Sequence, residues 1–462
     1  MQRWRTGIRI VLCYQRRIPP RWLIPMSPDF PTPRPRASCL ILLLCALPAL
    51  AAARGAASRA EADAWIARSR TPDRILLDAD AITARNRRLL AEDASMHDLR
   101  ALPPTMPGNE VRAMVMRRSV WPRRALYGSD ARALGAASRE RLQTQLALAR
   151  IPDEVHARFG LVVRRADLRT FPDARPVFHR PGERLIDRFQ ESALFPGTLV
   201  RILHESLNGD WLFVMAPDYA AWVRADRIAA AAAAEVFAYV ERQPALIVTG
   251  SRVLTDSGIA LDMGTRVPLS TDRPDGGYVI DLPTRDPEGR LRLRSARLPN
   301  GSDVARAPLP FTERTLLTQA FKFLGEPYGW GHSFDARDCS GFVADVHAAF
   351  GLRMPRNTGD QAASPAFTRI APPTNATARQ AMLAALEPGD LLYLPGHVMM
   401  VIGQRAGETW VIHDTPEVRL ARPGGGIDKR PGGVVVTPLQ ALRFEDGRAY
   451  VDAIRRIVRL RR

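Results

Sequence analysis

Hydrophobic and polar positions follow different rhythms along the chain. Residues 54 to about 157 carry helical spacing, clearest in "SRAEADAWIARS" and "SRERLQTQLALARI", broken by Pro-rich turns such as "LPPTMPGN". From about 158 the pattern becomes short strands cut by turn residues: "FGLVVRRADLRTFP", "GTLVRILHES", "DWLFVMAP" and "AAWVRADRI". Strands of that length with Gly, Pro and Asp between them predict a small β-barrel over 158–230. A second set over 234–300 ("ALIVTGSRVL", "GTRVPLS", "GGYVIDLPT", "RLRLRSARL") predicts another. Both sets place Gly-Thr before a strand ("PGTLV", "MGTRV"), which hints at a duplication. "PNGSDVARAPLPF" reads as a linker, and 310–462 opens with the helical "TERTLLTQAFKFLG".

The first residues change the picture of what the mature chain contains. "RPRASCLILLLCALPALAAARGAA" has Arg34 and Arg36, an apolar run from Leu40, then small residues. That is the order of a secretory signal, and the run falls short of the roughly 20 apolar residues of a membrane span. Residues 1–53 are therefore expected to be a removable leader, with Met26 an alternative start and Ala49-Leu50-Ala51 the cleavage site. The expected compartment is the periplasm or the exterior. Cys13, Cys39 and Cys45 leave with the leader, so Cys339 remains as a single thiol where disulfides form. One cysteine closes no intrachain disulfide and builds no multi-cysteine zinc site.

Composition excludes little. With 46% hydrophobic and 25% charged residues the chain is ordinary for a globular protein. The formal charge of +18 is almost wholly arginine, since Lys322 and Lys429 are the only lysines. Such a field favours anionic partners, but no basic run is interleaved with aromatics, so nucleic acid is not expected.

The chemistry concentrates around "FDARDCSGFVADVHAAFG". Phe342, Val343, Val346 and Phe350 follow helical spacing after Asp338 and stop at Gly351, a helix with an acidic N-cap and a glycine end. Cys339 then sits in the first turn, where the helix dipole favours thiolate and lowers the cysteine pKa. A buried structural cysteine is the alternative, but it would sit better on the apolar stripe. Downstream, "GHVMMVIGQRAGETWVIHDTP" has His397 opening one strand and His413 ending the next. A hairpin centred on Arg405 puts the two imidazoles opposite each other, one as base and one fixing its tautomer. A metal pair is the competing reading, without a third ligand at suitable spacing.

At this point the chain resembles a known family. "YGWGHSFDARDCSGFVADVHAAFGLRMPRNTGDQ", with "GHVMMVIG" and "VIHDT", is similar to the signature of the NlpC/p60 cell-wall cysteine peptidases. "GLVVRRADLRTFP" and "IDRFQESALFPGTLVRILHES" look like the first bacterial SH3-like domain of multidomain members, and 54–157 like their N-terminal stabilising segment. The implied fold is α+β: a papain-like domain preceded by two SH3-like barrels and a helical region. The implied enzyme is a monomeric, cofactor-free cysteine endopeptidase. It would cut the γ-D-glutamyl–diamino acid bond of murein stem peptides, preferring free ones that begin with L-Ala. An amidase or acyltransferase on the same fold, or a wall-binding protein with an inactive site, is the alternative. By resemblance Cys339 is the nucleophile, His397 the base and His413 its orienting partner. Tyr328 and Trp330 line the substrate, and Asp338 and Ser340 receive the peptide's amine. His332 stands where the family usually has glycine, and is expected to narrow the cleft.

Overall fold

The computed structural model describes residues 55–461; the leader expected over 1–53 lies outside them. The N-terminal segment contains a helix over 55–66 and the helices Ala79–Glu92, Gly108–Arg118 and Ala136–Gln145. Asp78 caps the second by accepting from the Ala81 amide at 2.8 Å.

Next comes a seven-stranded antiparallel sheet. Its order is Ile228–Ala231, Arg158–Val162, Leu199–Glu205, Trp211–Met215, Ala220–Arg224, Ala166–Arg169, Gln190–Leu194. In "WLFVM" every residue is buried, although alternate side chains leave opposite faces. Val214 packs inside with Val162, Leu168, Val200 and Ile228. Phe213 and Trp222 pack outward, under Val111, Val115 and Leu142 of the N-terminal helices. The helical segment thus covers a barrel face that would otherwise be an apolar patch.

The following region departs from the expected all-strand pattern at both ends. Ala233–Glu241 is a helix, burying Val236 and Tyr239. Five strands then form a sheet in the order Leu291–Leu298, Tyr278–Arg285, Arg266–Asp272, Ala245–Val248, Val304–Ala305. The expected linker therefore contributes an edge strand, Val304 and Ala305 pairing with Val248 and Ile247. Its polar, Gly-containing composition concealed two residues of backbone pairing.

The C-terminal part is a six-stranded sheet with helices Glu313–Phe321 and Cys339–Ala348 on one face. Phe342, Val343 and Val346 share a core with Val398, Met400 and Ile412, each burial contributing roughly 1.5–3 kcal/mol. The N-terminal segment also straps this sheet. Ile75–Leu77 pairs with Phe311–Thr312, Trp65 lies 5.7 Å from Trp410, and Asn86 Nδ2 donates to Gly351 O at 2.7 Å. Among the described residues no helix is long and apolar enough to cross a membrane.

Candidate active site

Cys339 is the first residue of its helix, and Asp338 is the N-cap, accepting from the Gly341 amide at 2.9 Å. The thiol is buried and free. Its Sγ lies 3.8 Å from Thr358 Oγ1 and 4.0 Å from Gly396 O, beside the start of the strand His397–Arg405. Gly396, with φ at 75°, makes the tight turn that lets Leu394 pair with His397.

The two histidines meet, though not as direct partners. A two-residue turn at Ala406-Gly407, both with positive φ, joins the strands. A bulge between Val401 and Gly403 then leaves Met400 opposite Ile412. One further step along that ladder sets His413 opposite Met399, so His397 is its diagonal neighbour. The rings still touch: His397 Nε2 is 2.9 Å from His413 Nδ1, and His413 Nε2 is 3.1 Å from Thr437 Oγ1. Nδ1 of His397 makes no hydrogen bond among the described residues.

The electrostatics overturn one expectation. Burial, reinforced by the negative charge of Asp338, pushes the Cys339 thiol up to about 12. The helix start does not lower it, because the Gly341 amide there is taken by the cap and the cap is itself an anion. Burial also brings His397 down to about 4 and His413 well below its ordinary value. The resting pair is a neutral thiol beside a neutral imidazole.

Asp338 and Ser340 have a different task from the one expected. The Asp338 carboxylate is buried and accepts from the Gly331 and Gly341 amides, from Ser340 Oγ and from Arg356, whose Nη2 is 2.7 Å from Oδ2. Ser340 Oγ also accepts from Arg356 Nη1 at 3.0 Å. A carboxylate with that many donors has no vacancy for a substrate amine. Arg356 extends the cluster to the barrel through Ser192 Oγ at 2.6 Å, and holds Asp338 below the usual carboxylate range against the effect of burial.

His332 is equally far from expectation. It does not narrow the cleft: it is buried, with φ at 64°, its Nδ1 3.0 Å from Arg356 Nη2 and its ring edge-on to Phe195. The ring fills the space beside Gly341, where an added Cβ would come within 2.5 Å of it. Trp330 belongs to the junction with the barrel, donating from Nε1 to Gln190 O at 3.0 Å. Tyr328 is buried next to Cys339, and burial raises its phenol well above the ordinary value.

Several neighbours have no motif that assigns them a role. Thr358 begins the helix Thr358–Ala363 after Asn357, a capping pattern visible in "PRNTGDQ". Tyr450 stands 6.1 Å ring to ring from His397 and comes from a short C-terminal helix without a signature of its own. Glu191 sits at a β-bulge between the pairs Leu168–Ser192 and Arg169–Gln190, and accepts from Arg118 Nη1 at 2.8 Å and from Tyr219 Oη. A cavity of about 560 Å³ opens behind the Cys339 helix, lined by Phe195, Asp218, Arg266, Asp345 and Arg353. It contains none of these candidate catalytic groups.

The NlpC/P60 family model matches residues 325–424, the stretch holding Cys339, His397 and His413. Residues 325–424 form an NlpC/P60 domain. An SH3 domain of the SH3b1 type is matched over residues 176–224, so the SH3b domain precedes the NlpC/P60 domain. No curated protein matches the chain. Among solved structures, one described as a novel NlpC/P60 endopeptidase from Photobacterium damselae subsp. piscicida is 17% identical, with a TM-score of 0.69 over 85% of this chain and 95% of its own. It shares the fold. An NlpC/P60 family protein from Bacillus cereus ATCC 10987 is 19% identical over 65% of this chain and 98% of its own, with a TM-score of 0.43. The NlpC/P60 family is one of hydrolases and peptidases, and the chain is peptidoglycan-hydrolase-like in its domains.

Proposed function

We propose that the chain is an exported cysteine endopeptidase that cuts the γ-D-glutamyl–diamino acid bond of murein stem peptides. What supports this reading is that Cys339, at a helix start, has its Sγ 4.0 Å from the carbonyl oxygen of Gly396, the residue before His397, whose ring touches His413. His397 takes the thiol proton through Nδ1 as Sγ attacks the peptide carbonyl, and later returns it to the leaving amine. His413 holds the other ring nitrogen, and Thr437 holds His413. Because thiol and imidazole both rest neutral, proton transfer accompanies attack.

The preference for a free amino terminus rests on the barrel, which closes one end of the site through Gln190 and Ser192. With Asp338 spent, the carboxylate we assign to the substrate amine is Glu191, which accepts from Arg118, Tyr219 and Thr170 and keeps one acceptor site. Its bulge position re-aims the side chain, which is 21% exposed. Mass spectrometry of stem peptides digested by the wild type and by Cys339→Ala tests the reading. We expect a cut after γ-D-Glu with the wild type alone. Free L-Ala-starting tripeptides should be cut faster than glycan-linked ones, and Glu191→Gln should narrow that difference. Equal digestion by wild type and Cys339→Ala would refute the mechanism.

A further inference from the structure

Thr358 is the first residue of the helix Thr358–Ala363, and its hydroxyl meets the nucleophile, with Oγ1 3.8 Å from Cys339 Sγ. That hydroxyl has no other hydrogen bond among the described residues. The chain on either side of it is clamped. Two residues earlier, the buried Arg356 spends all five of its N–H groups: Nε on Ser192 Oγ, Nη1 on Asp338 Oδ1 and Ser340 Oγ, Nη2 on Asp338 Oδ2 and His332 Nδ1. Three residues later, the buried Gln361 donates from Nε2 to Ser340 O and Pro355 O and accepts from Tyr393 Oη. Both anchors grip the residues flanking Cys339, so the hydroxyl is held against the sulfur.

The sulfur needs such a neighbour. As the thiol proton leaves, negative charge grows on Sγ. Gly396 O, 4.0 Å away, only accepts hydrogen bonds, and Asp338 is an anion. The titratable groups facing the thiol are Asp338 at its own helix start, Tyr328 on the segment before it, and Tyr393, Asp414 and Tyr450 from the sheet and the C-terminal helix. His397 follows Gly396 directly. Burial and the Asp338 charge oppose ionisation, while the Val398 amide and the Thr358 hydroxyl favour it. A contact of 3.8 Å is long, as catalytic hydrogen bonds often are in a resting enzyme, and tightens as charge develops.

We propose that Thr358 is a catalytic residue, its hydroxyl donating a hydrogen bond to Cys339 Sγ as the thiol proton leaves and again when the thioester breaks. This deepens the function proposed above and rests on it. In acylation the thiol proton goes to His397, the Sγ–C bond forms, and the carbonyl π pair moves to oxygen. The pair then returns, the C–N bond breaks, and the leaving amine takes the proton from His397. In deacylation water adds to the thioester carbonyl and gives a proton to His397. The Sγ–C bond then breaks with its pair on sulfur, and His397 returns the proton there. The Thr358 proton stays on its own oxygen throughout. A fixed donor of this kind lowers both barriers, at the two moments when sulfur carries charge.

The test follows alkylation of Cys339 by iodoacetamide from about pH 7 to 10 in wild type, Thr358→Ser, Thr358→Val and Thr358→Ala. Mass spectrometry of the peptide that holds Cys339 reads the rate. Valine keeps the shape of threonine, and the hydroxyl it removes has only the sulfur as partner, so Thr358→Val should melt near wild type. Alkylation should slow about fivefold or more in the valine and alanine variants. That is the scale of a hydrogen bond to a charged group, less the gain in nucleophilicity of a less stabilised thiolate. Serine keeps the hydroxyl and should stay within about twofold of wild type. On stem peptides kcat should fall in the same order, with KM little changed. Wild-type alkylation rates in Thr358→Val and Thr358→Ala, or an equal loss in Thr358→Ser, would each overturn the proposal. A wild type that cuts no stem peptide would instead sink the proposed function, and the alkylation series would still decide the role of Thr358.

Discussion

Cys339 and His397 are displaced from their ordinary pKa values in opposite directions, to about 12 and about 4, by the same burial. A base is useless once protonated, so activity should be lost as pH falls through the His397 value and not near 6.5. A kcat/KM profile with its acid limb close to pH 4 is expected, and a limb near 6.5 would show that the site hydrates or opens in solution. Thiol alkylation at neutral pH should correspondingly be slow, because the thiolate is scarce. The residues themselves are legible in the sequence: one cysteine behind an N-cap aspartate, then two histidines on successive strands, although His413, expected to end its strand, lies inside Glu408–Ala421. Their ionisation is not, because helix position is written locally whereas depth of burial and the partners of Asp338 are set by distant chain. Ser192 and Arg356, 164 residues apart, are what occupy that corner.

The start of the Cys339 helix and the loop 331–335 are a matched pair of elements. Gly331, His332, Phe334 and Asp335 all have positive φ, a conformation disfavoured for side-chain-bearing residues. Arg165 ties the loop down by donating from Nη2 to His332 O at 2.9 Å and to Ala336 O at 2.8 Å. The His332 ring then occupies the room beside Gly341. Gly341→Ala should therefore destabilise by about 1–3 kcal/mol through overpacking. Adding His332→Gly should recover most of that cost, which chemical denaturation of the two single variants and the double would reveal as strong non-additivity. Additive losses would mean that the ring moves aside freely. Periodicity predicts this helix and its cap, since the apolar stripe and Asp338 are local signals. It misses the Val304–Ala305 edge strand and misplaces the histidine register by a diagonal. A two-residue strand and a single bulge leave almost no trace in an alternation pattern.

At the scale of the molecule, the N-terminal segment belongs to two cores at once. Its later helices roof the barrel, while Trp65 and Leu77 enter the core that holds Cys339. Trp65→Ala should cost about 3–5 kcal/mol, read as a lower melting temperature with loss of hydrolysis only where the protein unfolds. An unchanged melting temperature would show that the strap is not part of the cooperative unit. Hydrophobic patterning suggests the helical segment and the first barrel, but contacts over such separations have no local signature.

The strap also orders events in time. Trp65 waits for Trp410, 345 positions later (410 − 65), and Arg85 hydrogen-bonds the carbonyl of Leu460. Closing loops of that length is slow compared with forming local helices and hairpins. A ribosome working through this gene would thus carry a finished barrel long before it could carry a finished nucleophile site. Translation products halted short of the last strand should therefore be inert.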